Sequence, residues 1–124
     1  MRDTSHLPPP DLWPTRLFSA DVEYTGPVNL ATVLLDRHVE SGAAERTAIH
    51  GDDGRVTYGQ LQRLTNRVGH ALRTLGVQPG DRVAMRFVNG PRFAATWLAV
   101  QKIGAIGVST MPMLRARETQ RKAL

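Results

Sequence analysis

A chain of 124 residues, 41% of them apolar, has the material for one small core, which excludes wholesale disorder. It contains no cysteine, which excludes a disulfide framework and a thiolate metal site. The formal charge of +5 is compatible with nucleic acid, an anionic surface or a phosphate-bearing ligand.

Residues 1–28 read as an irregular N-terminal segment. Pro8, Pro9, Pro10, Pro14, Gly26 and Pro27 interrupt any long element. Leu12, Trp13, Leu17, Phe18, Val22 and Tyr24 predict that it packs on the domain formed by residues 29–124. The opening MRDTSHLPPP lacks the apolar stretch of a signal peptide. The apolar run from Phe93 to Val100 is too short to span a bilayer. A cytoplasmic protein without a membrane partner is therefore expected.

Asn29 is a good N-cap for a helix through Ser41, with Gly42 as its stop. Leu30, Val33, Leu34 and His38 or Val39 would form its apolar stripe. Thr47 to His50 reads as a strand, Asp52-Asp53-Gly54 as a tight turn, and Arg55 to Tyr58 as the return strand of a hairpin. Thr57 and Gln60 have capping-box spacing and open the next helix. Leu61, Leu64, Val68, Leu72 and Leu75 recur at helical spacing along it, and Gly76 is its stop. Arg63, Asn66, Arg67 and Arg73 lie off that stripe.

The stretch from Gly80 to Thr110 predicts strand, turn, helix and strand. Arg82 to Val88 has the content of a buried strand, and Asn89 and Gly90 break it. Pro91 suits the first helical position. Phe93, Ala94, Trp97, Leu98 and Val100 follow on the helix, with Gly104 as its stop. Ala105 to Ser109 is the second strand. Two parallel strands need such a crossover, so the stretch predicts a βαβ unit. Met111 to Met113 reads as a loop. Leu114 to Leu124 favours helix, with Arg115, Arg117, Arg121 and Lys122 on a solvated face. The fold class expected is α/β, a small β-hairpin plus a parallel βαβ unit packed with helices.

Chemistry-bearing motifs are few. The sequence has no GxxxxGK[ST] or GxGxxG loop, no HExxH and no GxSxG elbow. His6, His38, His50 and His70 stand apart from one another and read as packing or surface residues. Asp52-Asp53-Gly54 lacks the further oxygen ligands of a calcium loop. No catalytic, cofactor-binding or metal-binding residue is assigned. Ligands in open parallel sheets bind beyond the carboxyl ends of the strands. That rule makes Asn89, Ser109, Thr110 and Met111 the candidate substrate-proximal positions.

Several segments, taken together and in order, carry a family resemblance. They are Thr57-Tyr58-Gly59-Gln60-Leu61, Asn66-Arg67, and the run from Leu75 to Val83 (LGVQPGDRV). Asn89-Gly90-Pro91 and the run from Ala99 to Ala105 (AVQKIGA) follow. This set resembles the opening of the AMP-forming acyl-CoA synthetases, within the adenylate-forming superfamily. The run from Ser109 to Glu118 and the opening Leu7 to Pro14 are similar to the benzoate and 2-aminobenzoate CoA ligase branch.

The resemblance implies a partial N-terminal subdomain of an aromatic-acid CoA ligase. Its reaction would be attack of a carboxylate on the α-phosphate of ATP, then displacement of AMP by the CoA thiol. ATP, CoA and Mg²⁺ are the cofactors of the full-length family. Its phosphate loop, ribose-binding acid and catalytic lysine lie downstream of the region matched here. The chain is therefore expected to bind none of these cofactors alone, and to be inactive alone. Its expected partners are the remaining ligase polypeptide, or a second copy through an exposed sheet edge. The alternative is a small basic binding module for nucleic acid or an acidic partner. Nucleic acid is disfavoured because the Arg-rich end lacks interleaved aromatics.

Overall fold

Asn29 caps the first long helical segment. In the computed structural model, which describes residues 9–12, 26–51 and 54–113, its Oδ1 accepts the Ala31 N–H at 3.0 Å. The helical residues 30–43 follow, with π-helical turns at Thr32–Asp36 and Val39–Ala43. Gly42 takes a φ of 86°, which suits glycine and ends the run. A short 3₁₀ turn, Pro10–Leu12, lies upstream.

The buried line of this first helix differs from the expected stripe. Ala31 and Leu35 are fully buried, whereas Leu30 and Leu34 are 43% and 50% exposed. The i→i+5 bonding of the π turns shifts the inward face away from a 3.6-residue period.

Strand β1 (Thr47–Gly51) pairs antiparallel with β2 (Gly54–Thr57), with an irregularity between Thr47 and Ile49. The expected hairpin is present. The return strand ends at Thr57, one residue early, because Thr57 already caps the next helix. The turn residues Asp52 and Asp53 lie outside the described residues, as does the helix expected over residues 114–124.

Helix α1 (Tyr58–Thr74) opens with the expected capping box. Thr57 Oγ1 accepts the Gln60 N–H at 3.3 Å, and Gln60 Oε1 accepts the Thr57 N–H at 2.9 Å. Its buried line is Leu61, Thr65 and Gly69. Leu64, Val68 and Leu72 flank that line half-buried, and Leu75, at the C-cap, is 80% exposed. The expected leucine stripe is thus displaced by small residues. A Cβ placed on Gly69 would lie 3.4 Å from Ile103, so Gly69 lets the two helices approach closely.

Strands β3 (Arg82–Arg86) and β4 (Ile106–Thr110) pair in parallel, from Arg82 opposite Ile106 to Arg86 opposite Thr110. Helix α2 (Pro91–Lys102) connects them, with Pro91 in its first turn as expected. The predicted βαβ unit is therefore present. The first strand is shorter and barer than expected: it stops at Arg86, only Met85 is buried, and Val88 is 78% exposed. The reason is that α2 covers only one face of the pair.

Two hydrophobic clusters result. Ala31, Leu35, Leu61, Ala95 and Leu98 form the first, beneath the hairpin. Met85, Val100, Ile103 and Ala105 form the second, between α2 and the parallel strands. Trp97 packs on both, which settles it as a core side chain. No helix among the described residues is long and apolar enough to cross a membrane.

Candidate functional site

The carboxyl ends of β3 and β4 form one edge, because the strands run side by side in register. Residues 87–90 leave β3 toward the N-terminus of α2, and residues 111–113 leave β4. Asn89, Ser109 and Met111 are exposed at this edge, Met111 by 67%. Thr110 differs from these three. It is buried, and its Oγ1 donates to the Met85 carbonyl at 3.3 Å. Its hydroxyl is thus engaged in holding β4 to β3.

Arg86 completes the edge. Its Nε donates to the Pro112 carbonyl at 3.0 Å, and Nη2 donates to the same oxygen. A residue at the end of one strand therefore ties down the loop after the other. The arrangement is a platform of exposed residues at the carboxyl ends of a parallel pair.

No group of three or more His, Asp or Glu converges among the described residues. His38 stacks on Tyr58, with ring centroids 4.6 Å apart, and His50 and His70 are exposed singly.

A second polar constellation, at the end of α2 away from the platform, was not expected. Lys102 Nζ donates to Asp36 Oδ1 at 2.7 Å and to Asn66 Oδ1 at 2.8 Å. Gln62 Nε2 donates to the same Asp36 oxygen at 2.8 Å. Burial opposes the Asp36 charge, but the hydrogen bonds from Lys102 and Gln62 and the Lys102 charge outweigh it, so its pKa is lowered. Asn29 Nδ2 adds bonds to the carbonyls of Gln101 and Lys102, both at 3.2 Å. These contacts bind the first helix, α1 and the C-terminal end of α2 together. The available sequence signal was that Asn66 and Lys102 both fall in segments that carry the family resemblance; nothing local marked Asp36.

Comparison with known proteins agrees with this geometry. The family described as AMP-binding enzyme matches residues 35–121. An acetyl-coenzyme A synthetase of Streptomyces coelicolor (strain A3(2)) is 44% identical over 85 residues, 64% of this chain and 13% of that protein. A 3-hydroxybenzoate–CoA ligase of Aromatoleum sp. (strain CIB) is 33% identical over 95 residues, 77% of this chain and 18% of that protein. The chain thus spans less than a fifth of the length of these relatives. Among solved structures, the anthranilate CoA ligase AuaEII in complex with anthranoyl-AMP aligns at a TM-score of 0.69 and 28% identity, over 73% of this chain and 17% of that one. A benzoate CoA ligase from Burkholderia xenovorans LB400 aligns at 0.64 and 29%, over 71% and 18%. The fold is that of an N-terminal subdomain of adenylate-forming enzymes, and the chain belongs to the AMP-binding enzyme family, which includes acyl-CoA ligases.

Proposed function

We propose that this chain is the N-terminal scaffold of an aromatic-acid CoA ligase. That enzyme joins a carboxylate to AMP at the expense of ATP, then transfers the acyl group to CoA. Supporting this reading is the edge formed by Asn89, Ser109 and Met111 beyond two parallel strands. The aromatic class is supported by the likeness to hydroxybenzoate, benzoate and anthranilate CoA ligases, and set against it are the acetyl-coenzyme A synthetases.

The chain's own part is to hold the acid-facing edge in place. Arg86 fixes the loop at Pro112, and the Lys102–Asp36 pair fixes the opposite end of α2. ATP, CoA and Mg²⁺ belong to the completed enzyme, where phosphate-binding groups come from the remaining ligase polypeptide. The test is ATP–pyrophosphate exchange by the purified chain alone and mixed with polypeptide carrying the remainder of the ligase. No exchange is expected alone. Exchange dependent on benzoate or 2-aminobenzoate is expected on mixing. Exchange by the chain alone would overturn the scaffold reading, and exchange with acetate but neither aromatic acid would overturn the substrate class.

A further inference from the structure

Among the described residues, one face of the parallel pair is covered by α2 and the other is largely exposed. A Cβ on Gly107 would meet Met85 Cε, Val100 Cγ1 and Gln101 Nε2, so Gly107 faces α2. Strand alternation puts Val83, Met85 and Ser109 on the same side. The opposite face then holds Arg82, Ala84 and Arg86 from β3, beside Ile106, Val108 and Thr110 from β4. Arg82, Ala84, Arg86 and Ile106 are exposed, Ile106 by 47%. Val108 is half-buried, and Thr110, at the far end, is buried. Parallel strands are ordinarily covered on both faces.

The charges on this face select its occupant. The apolar centre of Ala84, Ile106 and Val108 is flanked by two arginines, whose positions on β3 lie about 13 Å apart at strand rise. Two copies meeting through this face would set arginines against arginines, which disfavours self-docking. The centre has no aromatic side chain for base stacking, which disfavours single-stranded nucleic acid. Arg86 spends two donors on Pro112 but keeps others, and Arg82 makes no side-chain hydrogen bond or ion pair among the described residues.

We infer that this face docks an amphipathic helix whose apolar stripe is flanked by acidic side chains, which pair with Arg82 and Arg86. The inference deepens the ligase reading by giving the chemistry of the surface that the completing polypeptide presents, and it rests on that reading for the source of the helix. Recognition of the helix is tested separately from catalysis.

The experiment is a nuclear magnetic resonance titration of the full chain with two synthetic 18-residue helical probes. Both carry the same Leu/Ala stripe; one is flanked by Glu and the other by Lys. The Glu probe is expected to shift the amide signals of Ala84, Ile106 and Val108. The R82E/R86E variant should bind the Glu probe about tenfold more weakly and gain binding of the Lys probe, which also reports that the variant is folded. Ile106→Lys, at the apolar centre, should abolish binding of the Glu probe. The inference is overturned if the Glu probe shifts none of these amides, if R82E/R86E binds it as tightly as the unmodified chain, or if a 20-nucleotide oligo-dT shifts them and the Glu probe does not. Failure here with successful pyrophosphate exchange on mixing would sink the docking surface and leave the ligase reading standing.

Discussion

Lys102 Nζ lies 2.7 Å from Asp36 Oδ1 and joins residues 66 positions apart. The pair is partly buried, with side-chain exposures of 29% for Lys102 and 12% for Asp36. Asn66 and Gln62 complete the bonding from α1, so one ion pair fastens three helices. Its position at the end of α2, just before Gly104 and β4, links this network to the strand that forms the candidate edge.

Removing one partner of this pair should cost more than removing both. Lys102→Met leaves the Asp36 carboxylate in a largely dry site with Gln62 as its remaining donor. A loss of about 2 kcal/mol is expected, less than for a fully buried pair because Lys102 is partly solvated. The double variant Asp36→Leu/Lys102→Met should recover more than half of that loss. Urea denaturation of the two single variants and the double variant closes the cycle. A double variant as unstable as the sum of the singles would mean the pair does not act as a unit.

The same carboxylate makes stability pH-dependent with a definite sign. Its folded pKa is lowered from the ordinary 3.8, so the folded chain holds the proton less readily than the unfolded chain. The contribution is full above about pH 4 and is lost as pH falls through the lowered folded value. Thermal melts from pH 2 to pH 7 should show the gap between the unmodified chain and Asp36→Asn narrowing at the acid end. A gap that widens on acidification contradicts this assignment.

Thr65 predicts a gain. Its side chain is fully buried on α1, and its Oγ1 has no hydrogen-bond partner among the described residues. Thr65→Val keeps the shape and removes an unmet polar group, so stability should rise by about 1 kcal/mol. A fall of similar size in the denaturation midpoint energy would show that the hydroxyl is satisfied in solution.

Gly107 predicts a loss of a different kind. Its φ is ordinary for any residue, so the constraint is space rather than backbone freedom. An added Cβ would sit 2.9 Å from Met85 Cε and 3.7 Å from Val100 Cγ1. Met85 is 1% exposed and must shift within a packed cluster, so Gly107→Ala should cost about 1–2 kcal/mol. Substituting Met85→Leu in the same chain should relieve part of that cost, read from the same denaturation curves.

Local chemistry alone specified several elements. Thr57 and Gln60 announce the start of α1 because both halves of the capping box lie within four residues. Pro91 and Gly104 bracket the crossover for the same local reason, a fixed φ at one end and a positive φ of 79° at the other. The β-branched and apolar runs on either side then had to be strands, and the intervening helix made them parallel. The family was legible too, because its segments are spread along the chain in a set order.

Which side of each helix faces inward was decided only by tertiary packing. The leucine spacing on α1 suggested one stripe, but Gly69 lets α2 approach more closely, and contact follows the smaller surface. The candidate edge illustrates the same limit. Asn89, Ser109 and Met111 could be placed at strand ends from the pattern, yet Thr110 is buried and its hydroxyl bonds the Met85 carbonyl, a contact set by strand register. The bare arginine-flanked face and the Asp36–Lys102 bond were likewise invisible in one dimension. Sequence periodicity records neighbours three or four residues apart, whereas these relationships join residues 24 to 66 positions apart that meet only when the helices and strands pack.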